Sequence, residues 1–187
     1  MVNAMPSCAL FQRPFYFLRH GETEMNHLGL IAGQTDVELN ETGWVQARAA
    51  AALLSGKDID AIYASPLKRA SDTAGCVSAV LGIEIAVVPG LAERNWGELE
   101  GKPREQRVGD VTPPGGESPE AFARRTLAGF ASIPASRLPL VVAHSGTFRV
   151  LCDDLGLPRR QQPVENCRPL QFVPPLLNGG TWTIETL

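Results

Sequence analysis

Two histidines set the range of chemistry open to this chain. The apolar run Phe15-Tyr16-Phe17-Leu18 ends on Arg19-His20-Gly21, and the run Leu140-Val141-Val142-Ala143 ends on His144-Ser145-Gly146. Imidazole titrates near neutral pH and serves as nucleophile, base or acid. A guanidinium beside it is a forked, permanently charged donor, and a glycine lets a ligand approach the backbone closely. Arginine, histidine and glycine closing a buried strand therefore suit an anion held for attack. Either triplet alone also fits an ordinary core histidine. Two of them, each ending an apolar strand, are hard to explain as unrelated packing residues.

The elements that must position these residues can be read from hydrophobic period and turn chemistry. Strands are expected at 15–18, 60–64, 84–88 and 140–143, with weaker ones at 170–173 and 181–185. Helical patterns lie between them. Asn40 is an N-cap for a helix reaching Leu54 and closed by Gly56. Ser65-Pro66 has the form of a cap followed by a first-turn proline. The helix after it places Leu67, Ala70, Ala74, Val77 and Leu81 on one face and stops at Gly82. Ser118-Pro119 repeats the signal ahead of Phe122, Thr126, Phe130 and Ile133, and Gly146 opens a further helix ending near Gly156. Alternating strands and helices predict an α/β domain around a mostly parallel sheet. The stretch 94–117, rich in glycine, proline and charge, reads as a long surface excursion. The prolines at 169, 174 and 175 demote the last strands to edge positions.

Composition narrows the partners. The chain has 187 residues, enough for one domain over 1–187 with its own core. Residues 1–13, broken by Pro6, read as a loose tail without the basic start and apolar run of a signal peptide. A formal net charge of −3 excludes a general nucleic-acid binder, so an anionic substrate must be drawn in by a local arginine cluster. No apolar stretch approaches membrane-spanning length. Cys8, Cys76, Cys152 and Cys167 have no Cys-x-x-Cys spacing and read as thiols of a reducing cytoplasm, neither disulfides nor metal ligands. Gly-x-Gly-x-x-Gly is missing after the first strand, which excludes a nucleotide-binding dehydrogenase.

In a parallel α/β sheet, ligands gather at the carboxyl ends of the strands. His20 and His144 lie at such ends. Arg69 falls in the first turn of the helix after 60–64, and Glu93 follows 84–88 closely, so four regions send Arg19, His20, Arg69, Glu93 and His144 to one rim. An arginine near a helix N-terminus is electrostatically awkward unless an anion sits there.

Over nearly its whole length the chain resembles the histidine phosphatase superfamily, the phosphoglycerate-mutase-like proteins. The motifs that carry the resemblance are Arg19-His20-Gly21-Glu22-Thr23 with Asn26, Gly33-Gln34-Thr35-Asp36-Val37-Glu38-Leu39, Ser65-Pro66-Leu67-Lys68-Arg69-Ala70 with Thr73-Ala74, Glu93-Arg94-Asn95-Trp96-Gly97-Glu98, Gly115-Gly116-Glu117-Ser118 and His144-Ser145-Gly146. The resemblance implies a three-layer α/β/α sandwich. It implies His20 as the nucleophile that forms a phosphohistidine, with Arg19, Arg69 and His144 gripping the phosphoryl oxygens. Asn26, Gly33 and Ser145 would bind substrate, and Glu93 would be the general acid. It implies a small phosphorylated substrate, no metal and no cofactor. The mutase branch has a longer excursion with two adjacent arginines. Here 101–113 is short and Arg104 and Arg107 stand apart, which favours a phosphomonoesterase with a more open pocket. The alternatives are a cofactor-dependent phosphoglycerate mutase and a catalytically silent phosphate-binding regulator.

Overall fold

Six strands form one sheet: β1 (Phe15–Arg19), β2 (Ala61–Ala64), β3 (Ile85–Val87), β4 (Pro139–Ala143), β5 (Leu170–Val173) and β6 (Thr183–Thr186), in the order β3-β2-β4-β1-β5-β6. The computed structural model describes residues 8–107, 111–158, 164–176 and 180–187. β3, β2, β4 and β1 are mutually parallel, while β5 and β6 run antiparallel to their neighbours. β1 and β4 are buried along their whole length, which is why both read as unbroken apolar runs and show no alternation.

The helices among the described residues are α1 (Glu24–His27), α2 (Glu41–Leu54), α3 (Lys68–Leu81), α4 (Pro119–Ala131) and α5 (Ser145–Asp154). Side chains alternate across β1, so Phe15 and Phe17 enter one core and Tyr16 and Leu18 the other. The first core packs Phe130 of α4 and Phe148 and Leu151 of α5. The second packs Ala47, Ala50 and Leu54 of α2 and Ala70, Ala74 and Val77 of α3. The expected three-layer α/β/α sandwich is the architecture observed.

Capping follows the sequence at α2, where the Asn40 side chain accepts from Gly43 N–H, and at α4, where Ser118 accepts from Ala121 N–H. It departs from the sequence at α3. The cap position there is Leu67, and its first turn is held from outside, by Asp36 Oδ1 accepting from Lys68 N–H at 2.7 Å. Ser65 has a different partner, described below. The segment expected to be a loose tail is packed from Cys8 onward. Leu10 lies in the first core and Phe11 meets Phe15, Phe130 and Trp182, so aromatic burial outweighs the disordering signal of Pro6. Residues 1–7 lie outside the described residues. β5 is also not an edge: it pairs with both β1 and β6, because its flanking prolines fall outside the ladder.

Candidate active site

Strand register brings the two histidines together. Arg19 of β1 is opposite Ala143 of β4, and His20 N–H donates to the Ala143 carbonyl, so the next residues, His20 and His144, emerge side by side. Their ring centroids are 5.1 Å apart. Both rings are buried. Burial, reinforced by Arg69 and Arg19, holds both well below the ordinary histidine range, so both are neutral.

The tautomer of His20 follows from its hydrogen bond. His20 Nδ1 lies 2.7 Å from the Gly21 carbonyl, which can only accept, so the proton is on Nδ1 and the lone pair on Nε2. His144 Nε2 lies 2.7 Å from Ser65 Oγ, while its buried Nδ1 has no partner. Ser65 thus orients a histidine; it does not cap a helix.

Two buried guanidiniums flank His20. Arg69 Nη1 and Nη2 donate to the carbonyls of Thr35 and Gly33 at 3.0 and 2.7 Å, and Arg19 Nη1 donates to the Val164 carbonyl at 2.7 Å. Burial, followed by repulsion from Arg104 and Arg69, pulls Arg19 down to about 10. Burial is also the main cause for Arg69, with Glu93 opposing it. In both side chains Nε is buried and unpartnered. A buried donor without an acceptor costs roughly 1–3 kcal/mol. Two such donors, with Arg19, His20 and Arg69 all lining one cavity of about 820 Å³, describe a place built for an anion.

Glu93 lines the same cavity and is fixed at both oxygens. Oε1 accepts from Arg94 N–H and Oε2 from Gly146 N–H, each at 2.9 Å. The second donor belongs to the first turn of α5, whose dipole favours a carboxylate. Gly146 has to be glycine: a Cβ there would overlap the Glu93 carboxylate. Arg125 of α4 braces the segment from behind. It donates to the carbonyls of Gly90, Ala92 and Glu93 and forms a two-point bond with Glu117.

The remaining expected residues are placed as follows. Gly33, at φ +54°, lines the cavity and gives its carbonyl to Arg69. Asn26 lines it too, but its Oδ1 is engaged by Thr23 N–H in a capping box, and its backbone carbonyl accepts from Arg104. Ser145 lines the cavity at the start of α5. His144 is covered by its neighbours and does not line it, although it packs on the His20 ring. Among the described residues, no three His, Cys, Asp or Glu side chains converge as a metal site.

Several contributors were not legible beforehand. Asn166 Nδ2 donates to the His20 carbonyl at 2.7 Å from a turn in which Cys167 takes a left-handed φ of 52°. Thr73 links both sides of the site, accepting from Gly21 N–H and donating to the Arg69 carbonyl. The described part of the 94–117 stretch, expected as a long surface excursion, brings Trp96, Arg104 and Arg107 to the cavity wall. The arginines that stand apart in sequence share this wall because a short 3₁₀ turn at Arg104–Gln106 joins them.

Comparison with known proteins agrees with this geometry. The chain is 34% identical to a probable phosphoglycerate mutase from Photorhabdus laumondii, over 91% of this chain and 90% of the relative. It is 33% identical to an uncharacterized phosphatase from Bacillus subtilis, over 74% and 75%. Among solved structures, a mycobacterial glucosyl-3-phosphoglycerate phosphatase complexed with VO3 superposes with a TM-score of 0.75 at 28% identity, covering 93% of this chain and 98% of that one. A family model matches residues 15–185, and with it the chain belongs to the histidine phosphatase superfamily, branch 1.

Proposed function

We propose that this protein hydrolyses small phosphomonoesters through a phosphohistidine on His20. The observation that carries the reading is the His20 tautomer: Nδ1–H is tied to the Gly21 carbonyl, and Nε2 is left as a neutral lone pair among buried guanidiniums. In the first step Nε2 bonds to phosphorus as the ester P–O bond breaks. Glu93, acting as a carboxylic acid, gives its proton to the leaving oxygen. In the second step water attacks phosphorus and gives a proton back to the Glu93 carboxylate. The N–P bond breaks and inorganic phosphate leaves. Arg19 and Arg69 hold the equatorial oxygens where charge accumulates, and His144, buried behind the cavity wall, packs against the His20 ring and keeps it in place. Asn26, Gly33 and Ser145 line the substrate's path.

Permanent charge on arginine does the work that a divalent cation does elsewhere, so we assign no metal and no cofactor. Hydrolysis, in preference to mutase exchange or silent binding, is supported by the phosphatase-named relatives and by the presence of both a nucleophile and an acid in one cavity. We place the protein in the cytoplasm, without a nucleic-acid or membrane partner. A net charge of −3 and cysteines with no disulfide among the described residues support this, and no described helix is long and apolar enough to cross a membrane.

The test is rapid mixing with a labelled phosphomonoester, a quench that avoids acid, and peptide mapping. Label is expected on the His20 peptide, with steady phosphate release that survives chelation. Normal turnover by His20→Ala refutes the assignment.

A further inference from the structure

One carboxylate ties the loop at 33–35 to the turn that follows Trp96. Glu100 Oε1 accepts from Gln34 N–H at 2.8 Å and from Trp96 N–H at 3.0 Å. Its Oε2 accepts from Thr35 N–H at 2.8 Å and from the Thr35 hydroxyl. Among the described residues no ion pair includes Glu100, so its charge is met by peptide N–H groups and one hydroxyl. Hydrogen bonds to an ionised acceptor are the strong ones, and here they converge from segments far apart in sequence.

The same loop serves the site with its other groups. The Gly33 and Thr35 carbonyls accept from Arg69 Nη2 and Nη1 at 2.7 and 3.0 Å, and two such bonds fix the plane of the guanidinium. Between them, Gln34 Nε2 donates to the Glu93 carbonyl at 3.0 Å. Three successive residues therefore hold both the cation and the backbone of the acid, while Glu100 holds the N–H groups of Gln34 and Thr35. Glu100 does not line the cavity, so any effect on the reaction passes through that loop. The simpler account is a surface turn closed by its nearest polar side chain. Two observations go against it. Gly33 sits at φ +54° with the Glu100 carboxylate where its Cβ would be, a close fit that a turn alone does not require. A negative charge near an anion-binding cavity also opposes the ligand, a cost that a neutral amide closing the same turn would avoid. That charge favours the charged form of Arg69: burial lowers its pKa, and Glu93, Asp36 and Glu100 oppose the shift.

We propose that Glu100 is a positioning residue for phosphoryl transfer: by organising the 33–35 loop it holds the Arg69 guanidinium in the plane from which it meets the anion. This rests on the hydrolase reading above and deepens the account of its site.

The test measures dissociation constants for orthovanadate, a mimic of the transferred phosphoryl group, by calorimetry. The four proteins are the unaltered chain, Glu100→Gln, Arg69→Gln and the double variant. Glu100→Gln keeps the size of the side chain but turns an NH2 toward the N–H groups from which it should accept. It is expected to weaken binding about tenfold at a stoichiometry of about one. With Arg69→Gln already present, the same change should cost less than about twofold, since a residue that acts through Arg69 has nothing left to position. A carboxylate that only closes a turn would leave the affinity of the folded protein unchanged. Equal affinity in Glu100→Gln and the unaltered chain, or equal losses with and without Arg69, overturns the proposal. If Glu100→Gln binds below that stoichiometry, Thr35→Val takes its place in the cycle, because it removes one hydroxyl from an exposed position. A loss of about threefold that vanishes beside Arg69→Gln then supports the proposal, and no loss overturns it. Vanadate binding needs no turnover. Failure to release phosphate from any ester, with this cycle intact, refutes the hydrolase reading and leaves the role of Glu100 standing. Hydrolysis without the cycle does the reverse.

Discussion

The floor and the roof of the cavity are built in different ways. The floor, His20, Arg19 and Arg69 with His144 packed against the His20 ring, rises from the ends of β1 and β4 and the start of α3. Each of its side chains is buried and tied to a backbone carbonyl or hydroxyl. The roof, Trp96, Arg104 and Arg107, stands on short turns and relies on stacking and single bonds. The difference separates two tasks. Phosphoryl transfer needs charges fixed to fractions of an ångström, which a parallel sheet supplies. Choice of substrate needs surface that can vary while the floor stays still, which loops supply.

The largest effect that could break this division belongs to the floor. Arg69→Gln removes a buried charge beside the developing negative charge and strands the Gly33 and Thr35 carbonyls. It should lower kcat/KM by roughly 100- to 1,000-fold for every ester, whatever its leaving group. A loss confined to particular substrates would move Arg69 to the roof's task.

Glu93 comes next and joins the two regions, since its carboxylate is held by α5 while its backbone is braced by Arg125. Glu93→Gln should slow alkyl esters about 100-fold and activated aryl esters far less, because only a poor leaving group needs its proton. Gly146→Ala displaces the carboxylate without removing it and should reproduce that leaving-group dependence in milder form. Equal losses on both ester types would make Glu93 a structural residue.

The floor was readable in the sequence because strand ends are easy to find. An apolar run that stops on a histidine fixes both the element and the position of the side chain on it. Even an error of a residue, as at 60–64 against the observed Ala61–Ala64, leaves Arg69 in the first turn of α3. The roof was readable only in part: Trp96 stands in a motif of the resemblance, but nothing in 94–117 has a period that fixes where Arg104 and Arg107 lie. The approach of Arg107 to Trp96 comes from turn geometry and stacking, which sequence spacing does not encode. Ser65 was misplaced for a related reason. Ser-Pro ahead of an apolar face is a strong cap signal, but the parallel register beside β4 offered its hydroxyl a buried imidazole, and the helix drew its cap from Asp36.

A smaller effect separates the roof's tasks. Trp96→Leu keeps a buried apolar side chain but removes the face on which Arg107 rests. It should change relative kcat/KM among substrates by several-fold while leaving the rate of the phosphohistidine step, measured by rapid quench at saturating substrate, within about threefold. A much larger drop in that step would show that the roof also shields the floor from water.

The smallest effect concerns stability and probes the floor alone. His20 and His144 are both held well below the ordinary histidine range by burial and neighbouring arginines. Above about pH 6.5 they are neutral whether the chain is folded or not, and contribute no slope. As pH falls through that value the unfolded chain takes up protons that the folded site refuses, so stability falls toward acid until the lower folded-state values are reached. The loss should be on the order of 1 kcal/mol per pH unit for each histidine. Urea unfolding between pH 7.5 and 5.5, a window above most carboxylate titration, should therefore be flat at first and then decline. His144→Asn should remove about half of the decline. A flat profile across the window would mean that both rings take up protons in the folded protein. His20 would then lose its lone pair below about pH 6.5, and the floor would not be set apart from the roof by burial holding the imidazole neutral into acid.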